Sequence, residues 1–250
     1  MSEAIDTGPR KSRRRGDARR AAAASDASQA TLAQQAPGQA RLMFEPARIV
    51  SDDELESLHL ASLEVLETIG IDVMLPEARD YFVQAGASVD GERVRIPGDV
   101  IMNAIATVPA EFMFHARNPD KTLRLGGGWL AFGTVASAPN SSDLETGRRP
   151  GNLDDFQKFL KLAQSFNCID FTSGYPVEPI DVHASVRHLV ALKDMAVMTD
   201  KPFHAYSLGL ERIRDGIEIA RIARGVSHEQ LEGEPSLFTI INTNSPLKMD

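Results

Sequence analysis

The second half of the sequence predicts a parallel α/β fold, on two observations. Strand-like and helix-like segments alternate from Trp129 to Asp250, and a strand followed by a crossover helix is the repeating unit of parallel α/β proteins. The last unit, SLFTIINTNSPLKMD, has a strand and a polar loop with no helix after it. Because a parallel strand needs cover on both faces and a crossover to its next neighbour, we expect an α/β enzyme interrupted near its middle.

Four strands and three helices account for this region. The strands are predicted at Trp129–Val135, Ile169–Gly174, Lys201–Ser207 and Leu237–Asn242. Helices are predicted to follow the N-cap residues Asn152 and Asp181 and to begin at about Leu210, ending near Ser165, Met198 and Arg224. Residues 136–150 predict a long loop after the first strand. Long loops at the carboxyl ends of such strands carry function, so their polar groups are candidate site residues.

Residues 41–128 predict a separate α+β layer. Ser51 and Glu54 form a capping box that opens a helix ending near Gly70. The elements predicted after it are a strand at Ile71–Met74, a helix from Pro76 to about Gly86, a half-buried strand around Val94 and Ile96, a helix at about Gly98–Thr107 and a strand at Glu111–Ala116. The glycines at 126–128 lack the lysine and the following helix of a phosphate-binding loop. No catalytic motif is recognisable in this layer.

The first 40 residues differ in composition from the rest. They hold seven basic and four acidic residues, whereas the other 210 hold 20 basic and 31 acidic residues. A basic run at Arg10–Arg20 is followed by an alanine- and glutamine-rich stretch with few large apolar residues, so we expect a disordered tail. A basic run can bind nucleic acid, but this one lacks aromatic residues for stacking on bases and is joined to an acidic body. A solvated tail is favoured, with a nucleic-acid role as the alternative.

Composition excludes several other classes. No apolar run reaches the length of a membrane-spanning helix, and the start lacks the apolar core of a signal peptide, so a cytoplasmic protein is expected. The single cysteine, Cys168, excludes an internal disulfide and any metal site built on several thiolates.

Six segments, in order, resemble the trimethylamine methyltransferase family. They are SLEVLETIGIDV (Ser62–Val73), AGASVDGERVRIP (Ala85–Pro97), DLETGRRP (Asp143–Pro150), LDDF (Leu153–Phe156), TDKPF (Thr199–Phe203) and NTNSPL (Asn242–Leu247). The resemblance runs from about Leu42 to the end of the chain and is carried by the ordered set. It implies a (β/α)₈ TIM-type barrel, with about its first half at residues 129–250 and an α+β N-terminal extension at 41–128. It also implies demethylation of a methylamine or quaternary amine, with the methyl group passing to the cobalt of a corrinoid (cobalamin) carried by a partner protein.

The resemblance further implies a pocket for a small methylated amine. A quaternary ammonium donates no hydrogen bonds, so aromatic faces and a carboxylate commonly hold it. The candidates are Tyr175 and Tyr206 as aromatic walls and Asp143 as the counter-charge, each at the carboxyl end of a predicted strand. As alternatives, the tyrosines pack over the barrel rim, and Asp143 orders its own loop with Arg148 or Arg149. Some family members carry pyrrolysine in the later part of the barrel, so trimethylamine and glycine betaine both stay open as substrates.

Two other functions remain open. One is a non-catalytic half-barrel that binds a partner or forms a homo-oligomer to close the barrel. The other is an unrelated barrel lyase or hydrolase. Such an enzyme needs a carboxylate pair, a metal cluster or a nucleophile–base pair, and none is recognisable in the sequence. The catalytic residues are therefore not assigned from the sequence.

Overall fold

The computed structural model describes residues 33–206 and 209–249 as a mixed α/β fold. The chain divides into two units between Ala36 and Pro37, and every helix and strand described below belongs to the second unit. The basic run Arg10–Arg20 lies outside the described residues, so the disordered tail stays a prediction. No helix in the described ranges is both long enough and apolar enough to cross a membrane.

The N-terminal layer contains the predicted alternation of helices and short strands. Its capping box is confirmed, because Glu54 Oε2 accepts a hydrogen bond from Ser51 N at 2.8 Å and Ser51 Oγ accepts one from Glu54 N at 3.3 Å. The elements are α1 (Asp52–Glu64) with a π-helical turn (Val65–Ile69), β1 (Ile71–Val73), α2 (Pro76–Ala85), β2 (Ser88–Asp90), β3 (Arg93–Arg95), α3 (Gly98–Ala106), β4 (Glu111–Phe114) and β5 (Leu123–Gly126).

A small sheet organises this layer. Strand β3 pairs antiparallel with both β1 and β2, and a last strand, β10 (Lys248–Met249), pairs parallel with β1. Its buried apolar residues are Ile71, Val73, Ala87, Val94 and Ile96. The return of residues 248–249 to this sheet was not predicted, since a pairing across more than 170 residues leaves no local pattern in the sequence.

The second half contains the three predicted helices at nearly the predicted positions. Its elements are β6 (Asn140–Asp143), β7 (Gly147–Pro150), α4 (Leu153–Ser165), α5 (Ala184–Met198), β8 (Phe203–His204), α6 (Leu210–Arg224), α7 (His228–Gly233) and β9 (Leu237–Phe238). Asn152 caps α4 by accepting a hydrogen bond from Asp155 N at 2.8 Å. Gly225 ends α6 with a left-handed φ of 67°.

Four extended segments of this half lie side by side, parallel and in sequence order. Gly133 bridges to Phe171, Thr172 bridges to Phe203, and β8 pairs with β9. The paired stretches are shorter than the predicted strands, and the described residues form no closed barrel. The α/β class is confirmed, and the (β/α)₈ barrel stays a proposal.

The two faces of this parallel sheet differ. On one face, Phe203 and Ala205 pack with Phe156, Leu192 and Met195 under helices α4, α5 and α6. Each large apolar side chain buried there contributes about 1.5–3 kcal/mol. Side chains alternate along a strand, so His204 lies on the opposite face from Phe203 and Ala205. There its ring contacts that of Phe238, which also contacts the ring of Phe171.

The prediction of a long loop at residues 136–150 is wrong. Strands β6 and β7 form an antiparallel hairpin closed between Asp143 and Gly147. Asp143 Oδ1 accepts hydrogen bonds from Glu145 N and Thr146 N, at 3.0 and 2.7 Å, and Gly147 has a φ of 68°. An aspartate that binds the next backbone N–H groups, followed by a left-handed glycine, is the local chemistry of a tight hairpin turn.

The prediction that Asp181 caps the helix after it is also wrong. Helix α5 begins three residues later and is capped by His183, whose Nδ1 accepts from Ser185 N at 3.3 Å. Asp181 Oδ1 instead accepts from Leu153 N, the first residue of α4, at 2.9 Å. Asp181 is therefore a cap of a different helix, reached through tertiary contact.

Candidate functional site

The two tyrosines predicted as pocket walls lie in direct contact. The rings of Tyr175 and Tyr206 stack with centroids 3.9 Å apart and an interplanar angle of 28°. Tyr175 follows the second parallel segment and Tyr206 follows β8, so adjacent segments bring the rings together at their carboxyl ends. Tyr175 is buried, with Phe156 against its ring edge-on at 6.0 Å, whereas Tyr206 is partly exposed. Of the two rings, Tyr206 has the accessible surface.

The hydroxyl of Tyr206 is fixed by the chain. It accepts a hydrogen bond from Tyr175 N at 2.6 Å and lies 3.1 Å from Ser137 Oγ. Ser137 N in turn donates to Tyr175 O at 2.7 Å. Burial raises the pKa of Tyr206 well above its ordinary value and raises the pKa of Tyr175 to about 12, so both phenols are neutral at physiological pH. The pair is a neutral aromatic surface held in one orientation.

His204 lies next to this pair, and it was not among the predicted site residues. Its ring centroid is 5.6 Å from that of Tyr206 and 4.9 Å from that of Phe238, its register partner in β9. The residue is 6% exposed, and neither ring nitrogen has a hydrogen-bond partner among the described residues. Burial lowers the pKa of His204, so its imidazole is neutral. We call Ser137, Tyr175, His204 and Tyr206 the carboxyl-end cluster.

The sequence does contain a signal for His204. In the predicted strand Lys201–Ser207, alternation places His204 and Tyr206 on the same face, opposite Phe203 and Ala205. His204 lies in the middle of that predicted strand, and only residues at the carboxyl end of each predicted strand were selected. Ser137 had no comparable signal, since its role depends on contacts with residues 38 and 69 positions away.

Asp143, the predicted counter-charge, orders its own hairpin. Its carboxylate accepts hydrogen bonds from Glu145, Thr146 and Arg149, with Arg149 Nη2 at 3.0 Å from Oδ2. These bonds, led by the backbone N–H of Thr146, lower the pKa of Asp143. Its side chain is 42% exposed. The hydrogen bonds of Asp143 in the described residues do not join it to the stacked tyrosines, so its role towards a substrate stays a prediction.

Arg149 connects this hairpin to the helical layer. Its guanidinium binds Asp143 and both carboxylate oxygens of Asp155, a residue that is 3% exposed in the first turn of α4. A planar guanidinium suits such a forked contact better than an ammonium. The segments DLETGRRP and LDDF are thus joined by one structural contact.

A different set of polar residues lies where β8 begins. Asp200 accepts hydrogen bonds from Lys121 Nζ at 2.6 Å, Asn118 Nδ2 at 3.0 Å and Gln164 Nε2 at 2.9 Å. Burial alone would raise the pKa of Asp200, but these three hydrogen bonds outweigh it and lower the pKa to about 2. The contacts tie the N-terminal layer to α4 and to β8.

Lys201 completes this arrangement. It is 5% exposed, and its Nζ donates to Ala163 O at 2.5 Å and to Phe166 O at 2.8 Å, at the carboxyl end of α4. Burial, reinforced by the positive charge of Lys121, lowers the pKa of Lys201 to about 8. We call Asn118, Lys121, Gln164, Asp200 and Lys201 the amino-end network. The segment TDKPF is therefore mainly structural.

Comparison with known proteins places the chain in a family. The family model of trimethylamine methyltransferase (MTTB) matches residues 11–250. A glycine betaine methyltransferase of Desulfitobacterium hafniense (strain Y51) is 33% identical over 202 residues, which are 81% of this chain and 42% of that protein.

Two further relatives are named as trimethylamine methyltransferases. A trimethylamine methyltransferase MttB of Desulfitobacterium hafniense (strain DSM 10664 / DCB-2) is 29% identical over 206 residues, 80% of this chain and 40% of that protein. The MttB of Methanosarcina thermophila is 26% identical over 208 residues, 80% of this chain and 43% of that protein. This chain spans about two fifths of the length of these curated relatives. The predicted resemblance is confirmed, and the chain belongs to the trimethylamine methyltransferase family.

Proposed function

We propose that the protein expressed from the complete coding sequence moves a methyl group from a methylated amine to the cobalt of a corrinoid protein. The amine is trimethylamine or a quaternary amine such as glycine betaine. The observation that carries this proposal is the stacked pair Tyr175 and Tyr206 at the carboxyl ends of neighbouring parallel segments in a member of this family. An aromatic face at such an edge suits a methylated ammonium.

The proposed architecture is a (β/α)₈ barrel. Residues 129–250 supply its first four strands, and residues 41–128 form an α+β extension. The parallel pairing of four segments in sequence order supports this arrangement. Since the chain spans about two fifths of its curated relatives, we propose that its 250 residues alone give no turnover.

In this proposal Tyr206 supplies the aromatic face and Tyr175 supports it from behind. The raised pKa of each phenol keeps the surface uncharged. The hydrogen bonds of the Tyr206 hydroxyl hold the ring still, which reduces the entropy lost when a substrate is oriented. Asp143 is the proposed counter-charge, because it is ionised and partly exposed on the hairpin after the first parallel segment.

The corrinoid enters with its partner protein as the methyl acceptor. Apolar side chains are exposed near the carboxyl ends of the outer segments, with Val135 at 67% and Ile241 at 75% exposure, and we propose that this rim faces the corrinoid-bearing partner. When bound, the corrinoid supplies a nucleophilic cobalt that accepts the methyl group. The task of this chain is to hold one N–CH₃ bond in line and exclude water. We also propose a cytoplasmic location.

A spectroscopic assay tests the proposal. The complete protein is mixed with a corrinoid protein in the Co(I) state and with trimethylamine, glycine betaine, choline or tetramethylammonium, and the cobalt absorption spectrum is followed. We expect methylation of cobalt from at least one amine. No methylation from any of the four would refute the proposed function.

A matched pair of variants tests the site within the same assay. Tyr206→Leu removes the aromatic face and is expected to lower the methylation rate about tenfold at subsaturating amine. Tyr81→Leu, on α2 with 72% exposure, is expected to keep the rate. Equal methylation rates for both variants would show that the Tyr206 ring does not contribute to binding the amine.

A second candidate is a non-catalytic half-barrel that binds the amine or a partner without turnover. This chain covers only 42% of the length of its glycine betaine methyltransferase relative, so we retain this candidate. If the 250-residue chain is folded and monodisperse, binds a methylated amine and forms a defined homo-oligomer, this candidate is supported. Insoluble protein at this length would argue against it.

A further inference from the structure

Ser137 has a backbone conformation that its residue type rarely adopts. Its φ is 57°, in the left-handed region, and in the described ranges only one other non-glycine residue, Leu247, has a positive φ. For a residue with a Cβ this conformation costs free energy, because the Cβ approaches the following carbonyl oxygen. Strained residues of this kind persist where surrounding contacts hold them, often at functional sites. The contacts that hold Ser137 are therefore informative.

The loop that contains Ser137 is bound to the loop after the second parallel segment. Ser137 N donates to Tyr175 O at 2.7 Å, and Glu178 N donates to Ala138 O at 2.8 Å. In the same conformation Ser137 Oγ lies 3.1 Å from Tyr206 Oη. One strained residue thus contacts both members of the stacked pair, Tyr175 through its backbone and Tyr206 through its hydroxyl.

The hydrogen bonds around the Tyr206 hydroxyl have a defined direction. Tyr206 Oη accepts from Tyr175 N at 2.6 Å. A neutral phenol has a single hydrogen to donate, and Ser137 Oγ is the acceptor within its reach in residues 33–206 and 209–249. On a third side, a Cβ at Gly174 would lie 2.8 Å from Tyr206 Oη, so the backbone there lies close against the hydroxyl. Ser137 therefore supplies the side-chain contact that fixes the Tyr206 hydroxyl.

We infer that Ser137 is a positioning residue for the proposed methyl transfer and acts through Tyr206, whose ring it holds in the orientation that transfer requires. This inference rests on the proposed function and adds a residue to which that function assigns no part. Ser137 contacts Tyr206 at its hydroxyl, so the ring face that receives a methylated ammonium is present with or without the Ser137 side chain. Loss of Ser137 should therefore leave amine affinity unchanged and slow the transfer step, which depends on alignment of the reacting N–CH₃ bond.

Ser137→Gly and Ser137→Ala separate alignment from stability in the complete protein. Both variants lack the hydroxyl, but glycine adopts a φ of 57° without strain, whereas alanine does not. We expect Ser137→Gly to melt at a higher temperature than Ser137→Ala, and both to lower the kcat of cobalt methylation about tenfold. Ser88→Ala, an exposed substitution on β2, is the control and should keep the wild-type kcat. Calorimetric titration with tetramethylammonium should give the same dissociation constant for the wild type and all three variants.

A double-mutant cycle tests whether Ser137 acts through Tyr206. Tyr206→Phe removes the hydroxyl that Ser137 contacts, so adding Ser137→Gly to it should lower kcat no further. Nuclear magnetic resonance of ¹³C-labelled tyrosine gives a readout without corrinoid. The ring signals of Tyr206, identified by their absence in Tyr206→Leu, should be single in the wild type and in Ser88→Ala, and broadened or doubled in Ser137→Gly.

Three results would overturn the inference. They are a kcat that follows the melting temperature in the glycine and alanine variants, a further loss of kcat when Ser137→Gly is added to Tyr206→Phe, and Tyr206 ring signals that are unchanged in Ser137→Gly.

Failure of the proposed function is a separate outcome. If the wild type methylates cobalt from no amine, the proposed function fails, and the Tyr206 ring signals show whether Ser137 holds the ring. If the wild type methylates cobalt and Ser137→Gly keeps the wild-type kcat, the proposed function stands and the inference fails.

Discussion

The amino and carboxyl ends of the parallel segments differ in how far their buried polar side chains are hydrogen-bonded within the described residues. In the amino-end network, Asp200 accepts three side-chain hydrogen bonds and the buried Lys201 donates to two backbone carbonyls. In the carboxyl-end cluster, the equally buried His204 has no partner on either nitrogen within the described residues. The stacked tyrosines beside it leave the surface of Tyr206 partly exposed.

We propose that this difference separates residues that hold the fold from residues of a binding site. A polar group paired by its own chain contributes to stability and has little capacity left for a substrate. Substitutions in the amino-end network should therefore change stability with little effect on binding. Substitutions that remove the aromatic ring of Tyr206 should change binding with a smaller effect on stability.

The largest expected loss of stability follows from removing the buried ammonium. Lys201→Met leaves the Ala163 and Phe166 carbonyls unpaired at the end of α4, and we expect the free energy of unfolding to fall by about 3 kcal/mol. Lys161→Met, on the same helix with an exposed side chain, is the control and should change little. Chemical denaturation followed by circular dichroism measures both. A stable Lys201→Met variant would contradict the structural role of the network.

A pH-dependent effect is expected from Asp200. Its pKa of about 2 lies below the ordinary 3.8, so its contribution is present above pH 3.8 and is lost as the pH falls from 3.8 to about 2. Asp200→Asn should therefore lower stability by about 1–2 kcal/mol at neutral pH and remove this part of the acid dependence. Asp120→Asn, an exposed neighbour, should keep the acid dependence. If the free energy of unfolding depends on pH in the same way in the wild type and in Asp200→Asn between pH 2 and 7, the acid dependence does not come from Asp200.

The carboxyl-end cluster should respond differently to removal of a polar atom. Tyr206→Phe deletes the acceptor of Tyr175 N–H but keeps the ring, so we expect a loss of about 1 kcal/mol in stability and unchanged glycine betaine affinity. Denaturation and calorimetric titration of the same preparation give both quantities. If affinity falls as far as in Tyr206→Leu, the hydroxyl rather than the ring face binds the substrate.

The smallest effect is expected at the hairpin. Arg149→Lys keeps the charge but cannot span Asp143 and Asp155 with one planar group, so the melting temperature should fall by less than in Asp200→Asn. Arg148→Lys, whose side chain is exposed, is the paired control and should melt like the wild type. A larger drop than that of Lys201→Met would mean that the hairpin, and not the amino-end network, dominates the stability of this half.

Local patterns in the sequence predict the helices of this molecule well. The capping box at Ser51, the N-cap Asn152 and the stop at Gly225 are all confirmed, because each depends on residues within one helical turn. The hairpin at 140–150 was missed although its turn chemistry is also local. Strand lengths were overestimated, since apolar stretches do not show which residues find a hydrogen-bonding neighbour.

The site was only partly predictable for a different reason. Tyr175 and Tyr206 were selected from the carboxyl ends of predicted strands, and their rings stack in the structure. Their role as pocket walls stays a prediction. The sequence cannot show that Asp181 binds Leu153 N, that Ser137 lies against Tyr206, or that His204 has no hydrogen-bond partner in the described part of the chain. Those facts depend on tertiary contacts across tens of residues.

The most direct test is the glycine betaine affinity of two variants of the complete protein, Tyr206→Leu and Lys201→Met, measured by calorimetry at a temperature where both are folded. We predict that the dissociation constant rises about tenfold in Tyr206→Leu and is unchanged in Lys201→Met, although the latter is the less stable protein. Equal losses in the two variants, or a loss only in Lys201→Met, would contradict the assignment of binding to the carboxyl ends of the parallel segments.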